Sequence, residues 1–350
     1  LEVLIAAVAL IGFTAAADTF AVFKSMDRGH SWSRADAGIP ERSRINAFGS
    51  VDGTLLAGTD SGIFTTTHEA LSWQRTQGAA MSSGGITSFA TLGQRVFAGT
   101  DGKGLLASWD RGGSWVAEPS FPSTKVRCLL THGGEIYAGT DSNGVFASKD
   151  AGQRWIHLSA GLPSQAQIFA LSAVRGRLFA GLYSQGLYAW DEQKQSWGKI
   201  GAVTPLALAS VQDALIVGHN PGGIYASGDG GASWSKGEAG GPALGLPETI
   251  FSDGGGELTP YAPVWGLGSD DHLALAGASA GIYYSENRGR TWARARNGLP
   301  ERSPGLAFLL TPRLILAGTL MRGSDGGGSE VTLPGPSPTH RTSSADAIRR

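Results

Sequence analysis

The chain has 350 residues, 16% of them charged, with a formal net charge of −1 and a single cysteine. That balance argues against the basic face of a nucleic-acid binder and gives no electrostatic reason to bind an anionic membrane. Cys128 has no partner for an intrachain disulfide and stands in an apolar stretch, where a small buried hydrophobe is expected. Glycine, at 53 residues, is about twice its usual share, which suits a chain of many tight turns.

Residues 1–17 are strongly apolar and end in Ala15-Ala16-Ala17 before Asp18. They read either as a signal-like segment with a small-residue cleavage site or as the start of a first copy of a repeat. We prefer the second reading, because Val3–Trp32 aligns with Val126–Trp155 without a gap.

The repeat centres on eight residues, Ser108–Trp115, with Ser first, Asp third, Gly fifth and Trp eighth. It returns at Ser25–Trp32 (Asp27), Ser148–Trp155 (Asp150) and Ser227–Trp234 (Asp229), and with Asn287 for Asp at Ser285–Trp292; Asp110 is its member in the central copy. Thr66–Trp73 and Trp190–Trp197 are worn copies. The Trp spacings are 41, 42, 40, 42, 37 and 58 residues. Ala-Gly-Thr or a relative (Ala57–Thr59, Ala98–Thr100, Ala138–Thr140, Ala317–Thr319) and Gly-aliphatic-aromatic (Gly62–Phe64, Gly186–Tyr188) keep the same phase. A period near forty with four short apolar runs per repeat, and no helical periodicity, predicts four-stranded propeller blades. Ser and Asp close the turn between strands C and D, Gly supplies its positive φ, and Trp anchors it.

This pattern resembles the Asp box, or bacterial neuraminidase repeat, found in sialidases, xyloglucanases, sortilin-type receptors and the photosystem II assembly factor. The resemblance covers about residues 20–320 and implies an all-β fold, a β-propeller of four-stranded antiparallel blades. Seven blades are preferred and eight remain open. Leu306–Thr319 either begins an eighth blade or supplies strands A and B to the N-terminal C and D strands, closing the ring. One domain over residues 1–322 is expected, followed by a disordered tail rich in Gly, Ser, Pro and Thr over 323–350.

In such a blade the boxes lie on one face, and loops B–C and D–A on the other. The box residues Asp27, Trp32, Asp110, Trp115, Asp150, Trp155, Asp229, Trp234, Asn287 and Trp292 are therefore expected to be structural. The opposite face offers Arg44, Asp60, Asp101, Arg127, Asp141, Tyr183, His219, Glu257 and Trp265 as ligand-binding candidates. Glu257 falls in an insertion within Lys236–Ala262, and long loops on rigid scaffolds commonly carry function. His219 lacks a partner at metal-ligand spacing, so neither metal nor cofactor is expected.

Two functions compete. One is a non-catalytic scaffold, a monomer binding a protein or glycan outside the cytoplasm. The other is a glycoside hydrolase of sialidase-like or xyloglucanase-like type using two loop carboxylates. The resemblance to sialidases implies an Arg-Ile-Pro motif near the start; Gly38-Ile39-Pro40 stands there instead, without the arginine.

Overall fold

The computed structural model describes residues 19–67, 69–70, 72–78, 85–201, 203–219, 223–239, 263–278, 280–301 and 303–321. These form 29 strands and, among the described residues, no helix. Strands β1 (Thr19–Ser25) and β2 (Ser33–Arg34) are the first among the described residues. Blade 2 is β3 (Ile45–Val51), β4 (Thr54–Thr59), β5 (Gly62–Thr67) and β6 (Gln74–Arg75). Blade 3 is β7 (Ile86–Leu92), β8 (Arg95–Thr100), β9 (Leu105–Ser108) and β10 (Val116–Ala117). Blade 4 is β11 (Val126–His132), β12 (Glu135–Thr140), β13 (Val145–Ser148) and β14 (Ile156–His157). Blade 5 is β15 (Ile168–Val174), β16 (Arg177–Leu182), β17 (Gly186–Asp191) and β18 (Ser196–Gly201). Blade 6 is β19 (Pro205–Val211), β20 (Ala214–His219), β21 (Ile224–Ser227) and β22 (Ser235–Lys236). Blade 7 adds a fifth strand, β23 (Glu238–Ala239), parallel to the outermost of β24 (Val264–Ser269), β25 (Ala274–Ala278), β26 (Gly281–Ser285) and β27 (Thr291–Arg294).

The last two strands, β28 (Gly305–Leu310) and β29 (Ile315–Met321), complete blade 1 in the order β2-β1-β29-β28. The ring is thus seven-bladed and closed by strand exchange: β1 pairs with β29 over seven residues, from Thr19↔Met321 to Ser25↔Ile315. The places that the register of Val3–Ala17 suggested for a first blade's A and B strands are taken by β28 and β29. Residues 1–18 and the tail 322–350 lie outside the described residues. This pairing covers the edges that β1 and β29 would otherwise leave open.

Each seam between neighbouring blades is an apolar core, and each box Trp belongs to the seam with the preceding blade. Trp115 packs with Leu56 and Ile63 of blade 2, Trp292 with Ile216 and Ile224 of blade 6, and Trp32 with Leu275 and Ile282 of blade 7. In blades 1 to 4 and 6 the Trp stands one residue ahead of strand D, and in blades 5 and 7 it lies inside it. Gly-aliphatic-Pro segments stand behind three of the Trp residues, Trp32 and Trp73 just ahead of their strands and Trp197 inside β18. Each Gly crosses behind the next blade's Trp at positive φ, and a Cβ would lie 2.1 Å from the Trp73 carbonyl oxygen at Gly38, 2.2 Å from that of Trp197 at Gly161 and 1.8 Å from that of Trp32 at Gly298. The neighbouring carbonyls of Ala37, Ala160 and Asn297 accept the N–H of Trp73, Trp197 and Trp32, so the connecting segment occupies the ladder position at the Trp.

Candidate binding face at the channel mouth

The hairpins occupy one end of the ring. Ser25, Ser108, Ser148, Ser227 and Ser285 each accept the N–H of the box Gly on Oγ at 2.8–3.0 Å. The carboxylate or amide oxygen two residues on accepts the N–H of the seventh residue at 2.8–2.9 Å. Hydrogen bonds from Ser31, first its hydroxyl and then its N–H, hold the Asp27 carboxyl down at about 2. Asp110, Asp150 and Asp229 are likewise held below the usual range. Arginines of these hairpins bridge to A–B turns of the preceding blade, Arg28 to Asp270 at 3.1 Å, Arg288 to Asp213 at 3.0 Å and Arg111 to Asp52 at 3.5 Å. Among the described residues no group of three or more His, Cys, Asp or Glu is arranged to hold a metal.

At the other end, the B–C loops bond to the segments that enter strand A. Asp60, Asp101, Asp141 and Tyr183 donate their N–H groups to the carbonyls of Arg44, Gly85, Lys125 and Gln167. Of the predicted acids here, Asp60 is met by a backbone N–H and Asp101 and Asp141 by cations. The Arg44 N–H donates to Asp60 Oδ1 at 3.1 Å, and burial pushes the Arg44 guanidinium down to about 10 against the attraction of Asp60. Lys125 Nζ meets Asp101 Oδ1 at 2.8 Å across the seam of blades 3 and 4. Arg127 Nε donates to Asp141 Oδ1, and its guanidinium lies over the Phe169 ring at 4.1 Å. Phe169 in turn stacks on Tyr183, with centroids 4.9 Å apart and planes at 20°. Asp141, Arg127, Phe169 and Tyr183 therefore form one continuous row from blade 4 to blade 5.

A feature missed in the sequence orders this face. Every innermost strand carries a bulge near its start, and the skipped residue is Asn46, Thr87, Arg127, Phe169, Leu206, Trp265 or Leu306. A bulge re-aims one side chain out of the alternation that packs its neighbours into the seams. Phe169, Leu206, Trp265 and Leu306, from four successive blades, share one apolar cluster with partly buried Phe20 and Tyr183 against it. Asn46, Thr87 and Arg127 occupy the equivalent places in blades 2 to 4. Four of the seven bulge residues are apolar and three polar, and all but Arg127 are buried. Each bulge residue stands eleven positions before the first residue of Ala-Gly-Thr or its relative, as Asn46 before Ala57 and Trp265 before Ala276; that spacing was the available signal.

The predicted residues thus divide. Arg127, Asp141, Tyr183 and Trp265 meet through Phe169 and the apolar cluster. The Arg44 backbone N–H bonds Asp60 within blade 2, and Asp101 pairs with Lys125. His219 stands apart: Nδ1 accepts the Thr204 N–H at 2.9 Å, the ring meets Tyr225 edge-on, and burial lowers its pKa. Glu257 lies outside the described residues.

No protein-family model matches the sequence, and no curated protein matches it. The structure is similar to the GH74 xyloglucanase from Xanthomonas campestris, with a TM-score of 0.59 and 16% identity over 82% of this chain and 54% of that one. It is similar to YCF48 bound to D1 peptide, at 0.57 and 17% over 82% and 94%. The extracellular domain of BT4673 from B. thetaiotaomicron gives 0.59 and 16% over 82% and 39%. The chain spans about half the length of the xyloglucanase and nearly all of YCF48. What they share with it is the fold. This is a seven-bladed β-propeller.

Proposed function

We propose that the chain is an Asp-box propeller that acts as a non-catalytic, monomeric scaffold, binding a protein or glycan ligand at the channel mouth, on the face opposite the boxes. The carrying observation is the row Asp141–Arg127–Phe169–Tyr183, where an ion pair, a cation over an aromatic ring and a stacked pair hold one another in place beside an apolar arc. A rigid row of this kind loses little conformational freedom on binding. YCF48, similar over nearly its whole length, was solved with a peptide bound, which favours a polypeptide ligand. An extracytoplasmic location is part of the proposal and rests on the signal-like reading of residues 1–17, since β28 and β29 fill the places that the blade reading gave them.

The similarity to glycosidase propellers supplies the competing reading. Against it, the loop carboxylates Asp60, Asp101 and Asp141 are each engaged by an N–H donor or a cation. A glycosidase needs one carboxylic acid free to give a proton and a second group facing the sugar. A glycan array and a peptide array, run beside hydrolysis assays on aryl glycosides, test the two. The scaffold reading expects binding that Arg127→Ala or Tyr183→Ala abolishes, without turnover. Turnover lost on changing Asp60, Asp101 or Asp141 but kept on changing Asp110 would establish the enzyme instead.

A further inference from the structure

The outer strands differ in one respect that neither the mouth nor the closure explains. Two residues after each box Trp stands a side chain paired across to strand C: Arg34 to Phe23, Arg75 to Phe64, His157 to Phe146, Lys199 to Tyr188, Lys236 to Tyr225 and Arg294 to Tyr283. Five blades thus carry a basic residue on an open outer strand, opposite an aromatic one, and in blade 7 β27 carries Arg294 with β23 laid along it. Basic residues on an edge strand guard it against pairing with another chain. In blade 3 the pair is Ala117 and Leu106, and the edge has no such guard.

The same edge is apolar. Val116, the residue before Ala117, is 52% exposed, and Trp109 in the adjoining hairpin is 59% exposed. Trp109 is held from below: its ring lies 4.3 Å from the Arg95 guanidinium, whose other side lies on Phe97 at 4.5 Å. Arg95 is fixed by hydrogen bonds to buried Glu118 and to the Ala151 carbonyl of blade 4. An exposed Trp on a rigid base is the residue type that dominates interface energetics. The blade 4 hairpin that takes part in this contact also carries Arg154, which is exposed and has no carboxylate partner among the described residues, whereas its neighbours Arg111 and Lys149 pair with Asp52 and Glu135. The fold itself adds strands to outer edges: β23 lies on β27 at Thr291 and Trp292, and Gln77 bridges Ser114 just ahead of β10.

We propose that the outer edge of blade 3, β10 with Trp109, docks an extended segment of another protein. That segment is apolar where it faces Trp109 and Val116 and carries a carboxylate for Arg154. It adds along the open edge at Ala117, the strand-addition mode of peptide recognition. This surface is independent of the mouth.

The test is to pan a library of random linear peptides on the full chain, with the Trp109→Ala chain as counter-selection. The proposal expects enriched peptides with alternating apolar residues and an acid. They should bind Trp109→Ala about thirty-fold more weakly. Ala117→Lys, which restores the missing cation, should weaken them similarly at an unchanged thermal midpoint, and Arg154→Gln should remove the salt dependence of binding. Lys236→Ala, on the outer strand of blade 6, should leave binding unchanged. The proposal is overturned if no peptide survives counter-selection, or if selected peptides bind Ala117→Lys as tightly as the parent. It is also overturned if the chain dimerises through this edge, seen in sedimentation as self-association that Trp109→Ala abolishes.

Discussion

At the hairpin end five turns repeat the same hydrogen bonds with nearly the same residues. At the mouth, the seven equivalent bulge positions hold Asn, Thr, Arg, Phe, Leu, Trp and Leu. The bulges sit on the innermost strands and the boxes between the two outer strands, at opposite ends of each blade. The hairpin satisfies its own backbone groups and packs against the preceding blade, a task that is identical around the ring and admits few residue types. The bulge side chain leaves the seam, so its identity is not dictated by the repeat. Uniformity at one end and variety at the other separate what every blade needs from what differs from blade to blade.

The largest effect that would break this contrast is at the seams. Gly298→Ala places a Cβ against the Trp32 carbonyl at a backbone φ of +81°, so it is expected to cost about 3 kcal/mol or more in chemical denaturation, where blade 7 meets the closing blade. Trp115→Ala, buried between blades 2 and 3, is expected to cost about 3–5 kcal/mol. If either is neutral, the hairpins do not rivet the seams.

Smaller effects sharpen the comparison. Asp27→Ala should cost about 1 kcal/mol, as lost turn caps do. Asp27→Asn should cost almost nothing at neutral pH, because Asn287 already makes the same bonds in blade 7, its Oδ1 accepting the Thr291 N–H and its Nδ2 donating to the Thr291 hydroxyl. The sign with pH follows from the depressed carboxyl of Asp27. Its stabilisation is complete above the unfolded value near 4 and is lost as pH falls toward about 2. Acid titration of the thermal midpoint should therefore be flatter in Asp27→Asn than in the parent. Smallest of all, Cys128 is buried beside the Ile168 carbonyl with its thiol pushed up to about 12 by desolvation, so it should not react with a thiol reagent until the chain unfolds.

The architecture was largely legible because a repeat states the same physical requirement many times. Ser, Asp, Gly and Trp at fixed offsets announce a turn, and a forty-residue period announces a blade. The mouth was legible only in part. Arg127, Asp141, Tyr183 and Trp265 were assigned to this face from loop and strand A positions, yet Phe169, which joins the first three, reads in sequence as one more apolar residue of strand A. The pairing of Arg127 with Asp141 rather than with another acid needed the loop geometry.

By itself, the sequence determined the all-β class, the blade count within one, and the hairpins, since these depend on contacts within some forty residues of chain. Tertiary structure alone decided that β28 and β29 complete the blade begun by β1, that each Trp serves the seam with the blade before it, and that seven bulges gather an apolar and a polar arc around one axis. Those outcomes rest on contacts between residues from Ala21 to Ala317, which only ring closure brings together.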